Sequence, residues 1–284
     1  MFEPIYSITD EILRQVGVVE AAREVIERAP LVPAYEAEFR KEALIRTVHY
    51  GTKLEGNDLS LTQAEKAMDS PPVPEATGGK RDRNIQEVIN YREVMGYLDR
   101  LKAKALRRKE EWRYSEAQLK KAHRLTVDRL LAETEAGEYR QTQVVVRNLK
   151  TQEISFRPPP AVEVPYQVED LLAWLNSVTG RRVHPVLRAG ITHYELARIH
   201  PFVDGNGRAA RAYTLLVLLL EGYEAKRFFA LEEYYDRQAK GYYGALQSVE
   251  RLRGDMTEWL EFFVIGLAEE LGRVKEKVVQ LSAQ

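Results

Sequence analysis

The chain of 284 residues contains no cysteine, which excludes disulfides, thiolate-bound zinc and a thiol nucleophile. Its charges nearly cancel, with 42 Lys and Arg against 43 Asp and Glu, so bulk electrostatic binding to nucleic acid or an anionic membrane is not expected. The longest apolar run, Leu215 to Leu220, is too short to span a bilayer. The acidic N-terminus lacks the apolar segment of a signal peptide. These absences favour a cytoplasmic protein.

Hydrophobic residues recur at helical spacing along most of the chain, which predicts a mostly α-helical fold. Thr9, followed by two acidic residues, is expected to open the first helix. Two capping boxes are predicted, from Thr62 to Glu65 and from Ser115 to Gln118. Further helices are expected from about Tyr35, over 84–106, 162–176, 185–200, 212–220 and 232–243, and from 255 to about 281. A loop is predicted over 70–79, and a solvated, charge-rich helix end over 102–111.

Strand-forming residues are concentrated in one place. Two short β-branched or aromatic segments flank a polar turn at 147–151, and prolines 158–160 follow. This pattern predicts a β-hairpin. The strand residues are Val144, Val145, Val146, Ile154, Ser155 and Phe156.

The run from His200 to Arg211, HPFVDGNGRAAR, places polar chemistry between apolar helical stretches at 187–199 and 212–220. His200 has a free pKa near neutrality and can accept a proton from a hydroxyl. Asp204 offers a hard oxygen ligand suited to Mg²⁺ on phosphates.

The same run contains the elements of an anion site. Gly205 and Gly207 permit backbone angles that point successive N–H groups one way at a helix start. Arg208 and Arg211 lie three positions apart and share a face of the first turn. Cations are unfavourable at a helix N-terminus, so two of them there indicate a bound anion with several charges.

This run resembles the signature of the Fic family, HPFx(D/E)GNGRxxR, and matches it at every fixed position. The similarity extends over 35–65, the hairpin, 185–222 and 242–263. The resemblance implies a Fic-fold helical bundle with one β-hairpin flap beside the active site. It further implies an N-terminal helical region over 1–112 that carries an inhibitory helix. A catalytic core with C-terminal helices would follow over 113–284, packed with it as one unit, with no room for the C-terminal winged helix of many relatives.

Glu55-Gly56-Asn57 has two interpretations. Alone, it is typical of a helix end with a C-terminal glycine. Beside the signature, it resembles the second half of the inhibitory pattern (S/T)xxxE(G/N) of class II Fic proteins, in which Glu55 would pair with Arg211. Gly51 occupies the Ser/Thr position, with Thr52 one residue away. The match is therefore partial, and we expect a looser helix around Gly51.

The resemblance implies a protein adenylyltransferase, which transfers AMP from ATP to a Tyr, Ser or Thr hydroxyl of an unidentified target or of itself. His200 would act as the base, and Asp204 would hold Mg²⁺. The flap would hold the target by strand addition. The implied phosphate-binding residues are Gly205, Asn206, Gly207, Arg208 and Arg211.

Three alternatives stay open. In the first, a water positioned by Glu55 removes AMP from a modified protein. In the second, the transferred group comes from another phosphate-containing donor. In the third, the protein is a non-catalytic nucleotide sensor, which the intact His200 disfavours. One of Tyr242 and Tyr243 could stack on the nucleobase, and packing between helices is an equal alternative. Relatives often dimerise, so a homodimer is possible; no direct nucleic-acid or membrane partner is expected.

Two further histidines are predicted to be core residues. His123 lies beside an apolar helical face and is expected to be packed and hydrogen-bonded. His193 is seven residues before His200, a spacing that raises the idea of a metal pair. No third ligand is evident, so we predict that His193 bonds to backbone instead.

Overall fold

The computed structural model describes residues 2–73, 79–108, 111–147, 151 and 153–282. Within these ranges the chain is mostly helical with one two-stranded antiparallel sheet, which confirms the predicted fold class. Parts of three predicted segments lie outside the described residues. They are 74–78 of the loop, 109–110 of the charge-rich stretch, and 148–150 and 152 at the hairpin turn.

Helices build almost the whole described structure. Short 3₁₀ turns at Ala161–Glu163 and Ala225–Arg227 precede two of them. The helices are α1 (Asp10–Arg28), α2 (Pro33–Lys53), α3 (Leu61–Met68), α4 (Lys80–Leu106), α5 (Glu116–Thr126), α6 (Val164–Asn176), α7 (Val178–Arg182), α8 (Pro185–Ile199), α9 (Asn206–Leu220), α10 (Leu231–Arg237), α11 (Ala239–Arg251) and α12 (Thr257–Ser282).

Side-chain caps explain several of the helix starts. The Thr9 hydroxyl accepts from the Ile12 N–H and opens α1, as predicted. The capping box from Ser115 to Gln118 is also confirmed. The predicted box from Thr62 to Glu65 is wrong. Ser60 and Gln63 form it instead, because α3 starts two residues earlier and Thr62 falls inside its first turn.

Other helix boundaries also differ from the prediction, and α9 begins at Asn206, six residues before the predicted start. Helix α2 begins at Pro33, whose fixed φ suits a first helical position. Helix α4 begins at Lys80, four residues before the predicted start. The single helix predicted over 232–243 is wrong, because the backbone leaves helical geometry at Gln238 (φ −107°, ψ 32°) and separates α10 from α11.

The hairpin is shorter than predicted. Strands β1 (Val146–Arg147) and β2 (Ile154–Phe156) pair with Val146 opposite Phe156 and Arg147 opposite Ile154, with an irregular register between the two pairs. Val144 and Val145 lie outside β1. The side-chain amide of Gln143 donates to the carbonyls of Val144 and Pro158, so it bridges the hairpin base where ladder bonds were expected.

The core forms around α9, which packs against α8, α5 and α4 and is buried along nearly all its length. At the periphery α1 packs along α12. The Met256 N–H donates to the Ile5 carbonyl (2.8 Å), and the Thr9 hydroxyl donates to Glu261 (2.6 Å). Within the described ranges, no helix has the length and apolarity needed to cross a bilayer.

Candidate active site

The signature run forms the connection between α8 and α9. His200 caps α8 in the left-handed region (φ 50°, ψ 60°), which L-residues rarely adopt. Gly205 is also left-handed (φ 74°) and caps α9. A Cβ atom on Gly205 would lie 2.8 Å from Cγ1 of Val127, so both the conformation and the close approach require glycine.

The surroundings of His200 favour the neutral form of its ring. Its Nδ1 lies 3.3 Å from the Ala197 carbonyl, which can only accept, so Nδ1 carries the proton and Nε2 has a free lone pair. Burial lowers the pKa of His200 below its ordinary value, although the Ala197 carbonyl and the charge of Glu55 act in the opposite direction. The ring can therefore accept a proton at neutral pH.

Arg140 fixes the backbone around this base, and sequence reasoning did not find it. The residue is buried, and its guanidinium donates to four carbonyl oxygens and no carboxylate. Its Nε reaches the His200 carbonyl (2.8 Å), and its Nη2 reaches the Pro159 carbonyl beyond the flap (2.5 Å). The Arg140 side chain thus links the end of the flap to His200. No local pattern in the sequence marked it.

His123 supports the loop from the core, which confirms its predicted role. The ring stacks on Phe202 at 3.7 Å with an interplanar angle of 3°. Its Nδ1 accepts from the Gly137 N–H, so the proton is on Nε2, which donates to the Asp204 carbonyl (2.8 Å). Burial lowers the pKa of His123 to about 4, so the ring is neutral.

Asn206 also braces the loop. Its side-chain oxygen accepts from the Phe202 N–H (2.8 Å), and its amide donates to the Phe202 carbonyl (2.9 Å). The side chain of Asn206 thus holds the loop with its oxygen and one amide N–H, and its part in binding phosphate stays a prediction.

The two signature arginines lie beneath the start of α9. Both are almost fully buried. Arg208 has Glu87 as its nearest carboxylate, with Nη1 3.7 Å from Oε1, and its Nε and Nη1 lack hydrogen bonds within the described ranges. Arg211 donates through Nη2 to the Gly51 carbonyl (2.9 Å) and to Oε1 of Glu55 (2.7 Å).

The Glu55 carboxylate lies against Gly207, within the predicted anion site. A Cβ atom on Gly207 would overlap Oε1 of Glu55 and would lie 3.0 Å from its carboxyl carbon. The carboxylate thus rests against the Gly207 backbone, beside the guanidinium of Arg211. Glu55 lies here because helix α2 ends at Lys53 and the backbone turns at Gly56, where φ is 93°. Both interpretations of this segment, helix end and partner of Arg211, therefore hold in the structure.

The neighbours of Glu55 fix the end of α2. The Asn57 amide donates to Glu87 (3.0 Å) and to the Asn84 carbonyl (2.9 Å), so Asn57 ties the turn to α4 and does not face the nest. Helix α2 is continuous through Gly51, and the ring of Tyr91 fills the space that a side chain would occupy there. The looser helix expected around Gly51 stays a prediction.

Asp204 lies at the outer edge of the site. Its side chain is 45% exposed, and Oδ2 pairs with Arg83 of α4 (2.9 Å), a residue that sequence reasoning missed. Burial disfavours its charge, but Arg208, the Gly205 N–H and Arg83 outweigh that effect and hold its pKa below the usual value. The described residues contain no cluster of three His, Asp or Glu able to hold a metal. A half-exposed single carboxylate fits Mg²⁺ that takes its other ligands from phosphates and water.

The tyrosine pair separates into two roles. Tyr242 is buried, stacks on Tyr235 (4.6 Å), and its hydroxyl lies 2.8 Å from Nε2 of His193. It is a packing residue, so a nucleobase contact by Tyr242 is excluded in this arrangement. Tyr243 is 44% exposed, and its hydroxyl donates to the Leu54 carbonyl beside Glu55. His193 is a core residue, as predicted, but its partner is a side chain and not backbone.

Comparison with known proteins agrees with this geometry. Residues 113–218 match the profile of the Fic/DOC family. The chain is 32% identical over 183 residues to protein adenylyltransferase fic-1 of Caenorhabditis elegans, an alignment that covers 64% of this chain and 33% of that protein. It is 27% identical over 230 residues to protein adenylyltransferase Fic of Nematostella vectensis, with 77% and 48% covered. The chain thus spans between a third and a half of these relatives' length.

Solved structures show the same architecture. A Fic family protein from Desulfovibrio desulfuricans G20 superposes with a TM-score of 0.77 at 27% identity, covering 97% of this chain and 77% of that one. Fic-1 of C. elegans shares the fold, with a TM-score of 0.68 at 24% identity over 94% and 72% of the two chains. Residues 113–218, which carry the complete signature run between α8 and α9, are thus similar in sequence and in fold to the Fic/DOC family.

Proposed function

We propose that this protein is an adenylyltransferase that transfers AMP from ATP to a Tyr, Ser or Thr hydroxyl of a target protein or of itself. The proposal rests on the neutral His200, which belongs to the same loop and helix start as Gly205, Gly207 and the buried Arg208 and Arg211. The names of the relatives in C. elegans and N. vectensis point to the same activity. The cysteine-free composition fits a reducing compartment, and we place the reaction in the cytoplasm.

The chemistry follows from the position of each group. The target hydroxyl oxygen attacks the α-phosphorus of ATP, a new P–O bond forms, and the bond to pyrophosphate breaks. Nε2 of His200 accepts the hydroxyl proton. Arg208 and Arg211 bind the β- and γ-phosphate oxygens, for which guanidinium groups are well suited. Asp204 would hold Mg²⁺, which when bound neutralises charge on the phosphates.

Glu55 makes the described conformation an inhibited one. Its carboxylate takes the Gly207 backbone and the Nη2 of Arg211, the groups that a γ-phosphate would need. Two anions cannot share this position, so ATP binds productively only after Glu55 has moved. We propose that this segment acts as the inhibitory helix of a class II Fic protein.

The direct test is incorporation of label from ATP labelled at the α-phosphate, with and without a host lysate. We expect Glu55→Gly to label itself or a lysate protein more strongly than the wild type. Glu55→Gln should fall between them, because it keeps the size of Glu55 but loses its charge. Label that persists in the Glu55→Gly, His200→Ala double variant would contradict the role of His200. Equal labelling by wild type and Glu55→Gly would contradict inhibition by Glu55.

Removal of AMP is the second candidate, and one electrostatic observation favours it. The charge of Glu55 acts to raise the pKa of His200, so the carboxylate is near enough for the two groups to activate a water together. An AMP-modified substrate protein, incubated with wild type and with Glu55→Gly, separates the two reactions. Release of AMP that depends on Glu55 identifies the hydrolase.

The donor is a separate question, because Tyr242 is buried and only Tyr243 of the pair is exposed. A panel of the four nucleoside triphosphates, each labelled at the α-phosphate, tests the preference for ATP. Equal transfer from all four would show that the site recognises phosphates and not adenine.

A further inference from the structure

One cavity is lined by Arg211 and by no other residue of the signature run. Its volume is about 450 Å³, within the range of small-molecule sites. Most of its lining comes from α2, α9, α10 and the 3₁₀ turn at Ala225–Arg227, and α1, α4 and α8 contribute one residue each. Apolar side chains provide much of its wall: Ala43, Leu44, Leu215, Leu218, Phe229 and Leu231.

Buried polar side chains also line the cavity: Thr47, Thr214, Glu232 and three that have an unsatisfied atom. Arg211, His193 and Tyr235 are 3%, 0% and 1% exposed. Each has one atom without a hydrogen-bond partner in the described part of the chain: Nε of Arg211, Nδ1 of His193 and the Tyr235 hydroxyl. An unsatisfied buried polar atom costs about 1–3 kcal/mol, and three around one cavity indicate that something polar fills it.

Most charged groups around the cavity are paired. The exception is the buried Glu232, which accepts from the Tyr91 hydroxyl (3.3 Å) and whose pKa is raised by burial, which favours its neutral form. The Arg211 guanidinium is neutralised by Glu55. At the mouth, Lys226 pairs with Glu36 (2.6 Å), and Arg227 lies 3.5 Å from Asp99. A charged ligand would leave one of these pairs unbalanced, whereas a neutral one would not.

We propose that this cavity binds a small uncharged molecule with an apolar body and one hydroxyl or amide group. The apolar body packs between α2 and α9. The polar group accepts from Nε of Arg211 and exchanges hydrogen bonds with His193 and Tyr235. The site is distinct from the phosphate nest, although Arg211 belongs to both, and it does not depend on the transferase activity.

The position of the cavity gives its occupant access to the inhibitory contact. Helix α2 provides one wall through Ala43 and Leu44, and the same helix ends just before Glu55. Arg211 donates to Glu55 through Nη2, and its Nε has no hydrogen-bond partner in the described part of the chain. A molecule bound here therefore touches both elements that make the Glu55–Arg211 pair.

Benzyl alcohol and benzamide serve as polar probes, and toluene, which has a similar apolar ring but no polar group, serves as their control. Binding of each to the whole chain is measured by ligand-observed NMR. We expect saturable binding of the two polar probes to the wild type. Tyr235→Phe removes a hydroxyl that has no partner in the described fold, so it should leave the melting temperature unchanged or higher. It should weaken the polar probes roughly 3- to 10-fold, the effect of one hydrogen bond, and leave toluene unaffected.

Two controls locate the binding. Tyr139→Phe changes a buried tyrosine that does not line the cavity and should leave every probe's affinity unchanged. Ala43→Leu fills part of the cavity and should abolish binding, with a melting curve to verify folding. The proposal is overturned if the wild type binds no probe saturably, as when water alone fills the space. Binding that neither Tyr235→Phe nor Ala43→Leu changes, or that Tyr139→Phe weakens equally, also overturns it.

Discussion

The ring of Tyr91 occupies the space that a side chain on Gly51 would need: a Cβ atom there would overlap Cε1 and lie 3.0 Å from Cδ1 of the ring. The two residues come from α2 and α4. Gly51 also accepts from Nη2 of Arg211 through its carbonyl, and the Tyr91 hydroxyl contacts Glu232 (3.3 Å). At the position where the inhibitory pattern has Ser or Thr, this chain thus combines a glycine with a tyrosine from another helix.

Restoring the family residue with Gly51→Ser should therefore destabilise this protein. We expect a loss of roughly 1–3 kcal/mol in the free energy of unfolding, as for overpacking of a well-packed core. The double variant Gly51→Ser, Tyr91→Leu should recover part of the loss, because the smaller side chain leaves room for the serine. Urea denaturation of the wild type, both single variants and the double variant gives the coupling energy. Strictly additive effects would show that the two residues are independent.

Arg83 competes for the carboxylate that we assign to Mg²⁺. Its Nη2 holds Oδ2 of Asp204 at 2.9 Å. In a Glu55→Gly background, Arg83→Ala should lower the Mg²⁺ concentration that gives half-maximal labelling by roughly 2- to 5-fold, the scale of one exposed ion pair. Arg81→Ala, an exposed arginine on the same helix, is the matched control. An unchanged or higher Mg²⁺ requirement in Arg83→Ala would count against this competition.

Arg140 should affect turnover more than nucleotide affinity. Arg140→Lys keeps the charge but lacks the planar fork that reaches four carbonyls. In the Glu55→Gly background we expect kcat to fall roughly 10- to 100-fold, because small displacements of a catalytic group have effects of this size. The KM for ATP should change little. Arg157→Lys, an exposed arginine next to the flap, is the control. A change in KM alone would assign Arg140 to binding.

The buried His123 should make the fold sensitive to acid. Its pKa is about 4 in the folded protein, against 6.5 for a free imidazole. Between these values the unfolded chain binds a proton that the folded protein does not. The free energy of unfolding should therefore fall as the pH decreases from 6.5 towards 4, by at most about 1.4 kcal/mol per pH unit for this group. Above pH 6.5 the group has no effect.

Denaturation of the wild type and of His123→Gln across this pH range isolates that contribution. The variant will be less stable at every pH, because it loses the stack on Phe202, so the slope is the informative quantity. A shallower slope in His123→Gln confirms the prediction. Identical slopes would assign the acid sensitivity to other groups, such as His193, whose pKa burial lowers to about 3.

Local sequence patterns predicted the parts of the site that lie within one segment. The signature run, the Ser115 capping box and the apolar face beside His123 each depend on residues close together in the chain. Arg83, Tyr91 and Arg140 were missed because their partners Asp204, Gly51 and His200 are many residues away. An isolated arginine or tyrosine carries no local sign of such a contact.

The tyrosine pair shows a different limit. Adjacent residues on a helix point in directions about 100° apart, so only one of Tyr242 and Tyr243 can face the core. The sequence does not decide which, since both side chains are identical. Tertiary packing against Tyr235 and His193 selects Tyr242.

The contact between α1 and α12 has a consequence for the order in which the protein assembles. The Thr9–Glu261 hydrogen bond joins residues 252 positions apart. During synthesis, α1 leaves the ribosome long before its packing partner exists, and contacts of such long range form late because closing the loop costs entropy. Until α12 arrives, the buried face of α1, with Ile12, Val19 and Ile26, has no α12 surface to cover it. Until α12 is made, this uncovered face leaves the nascent chain open to aggregation and proteolysis.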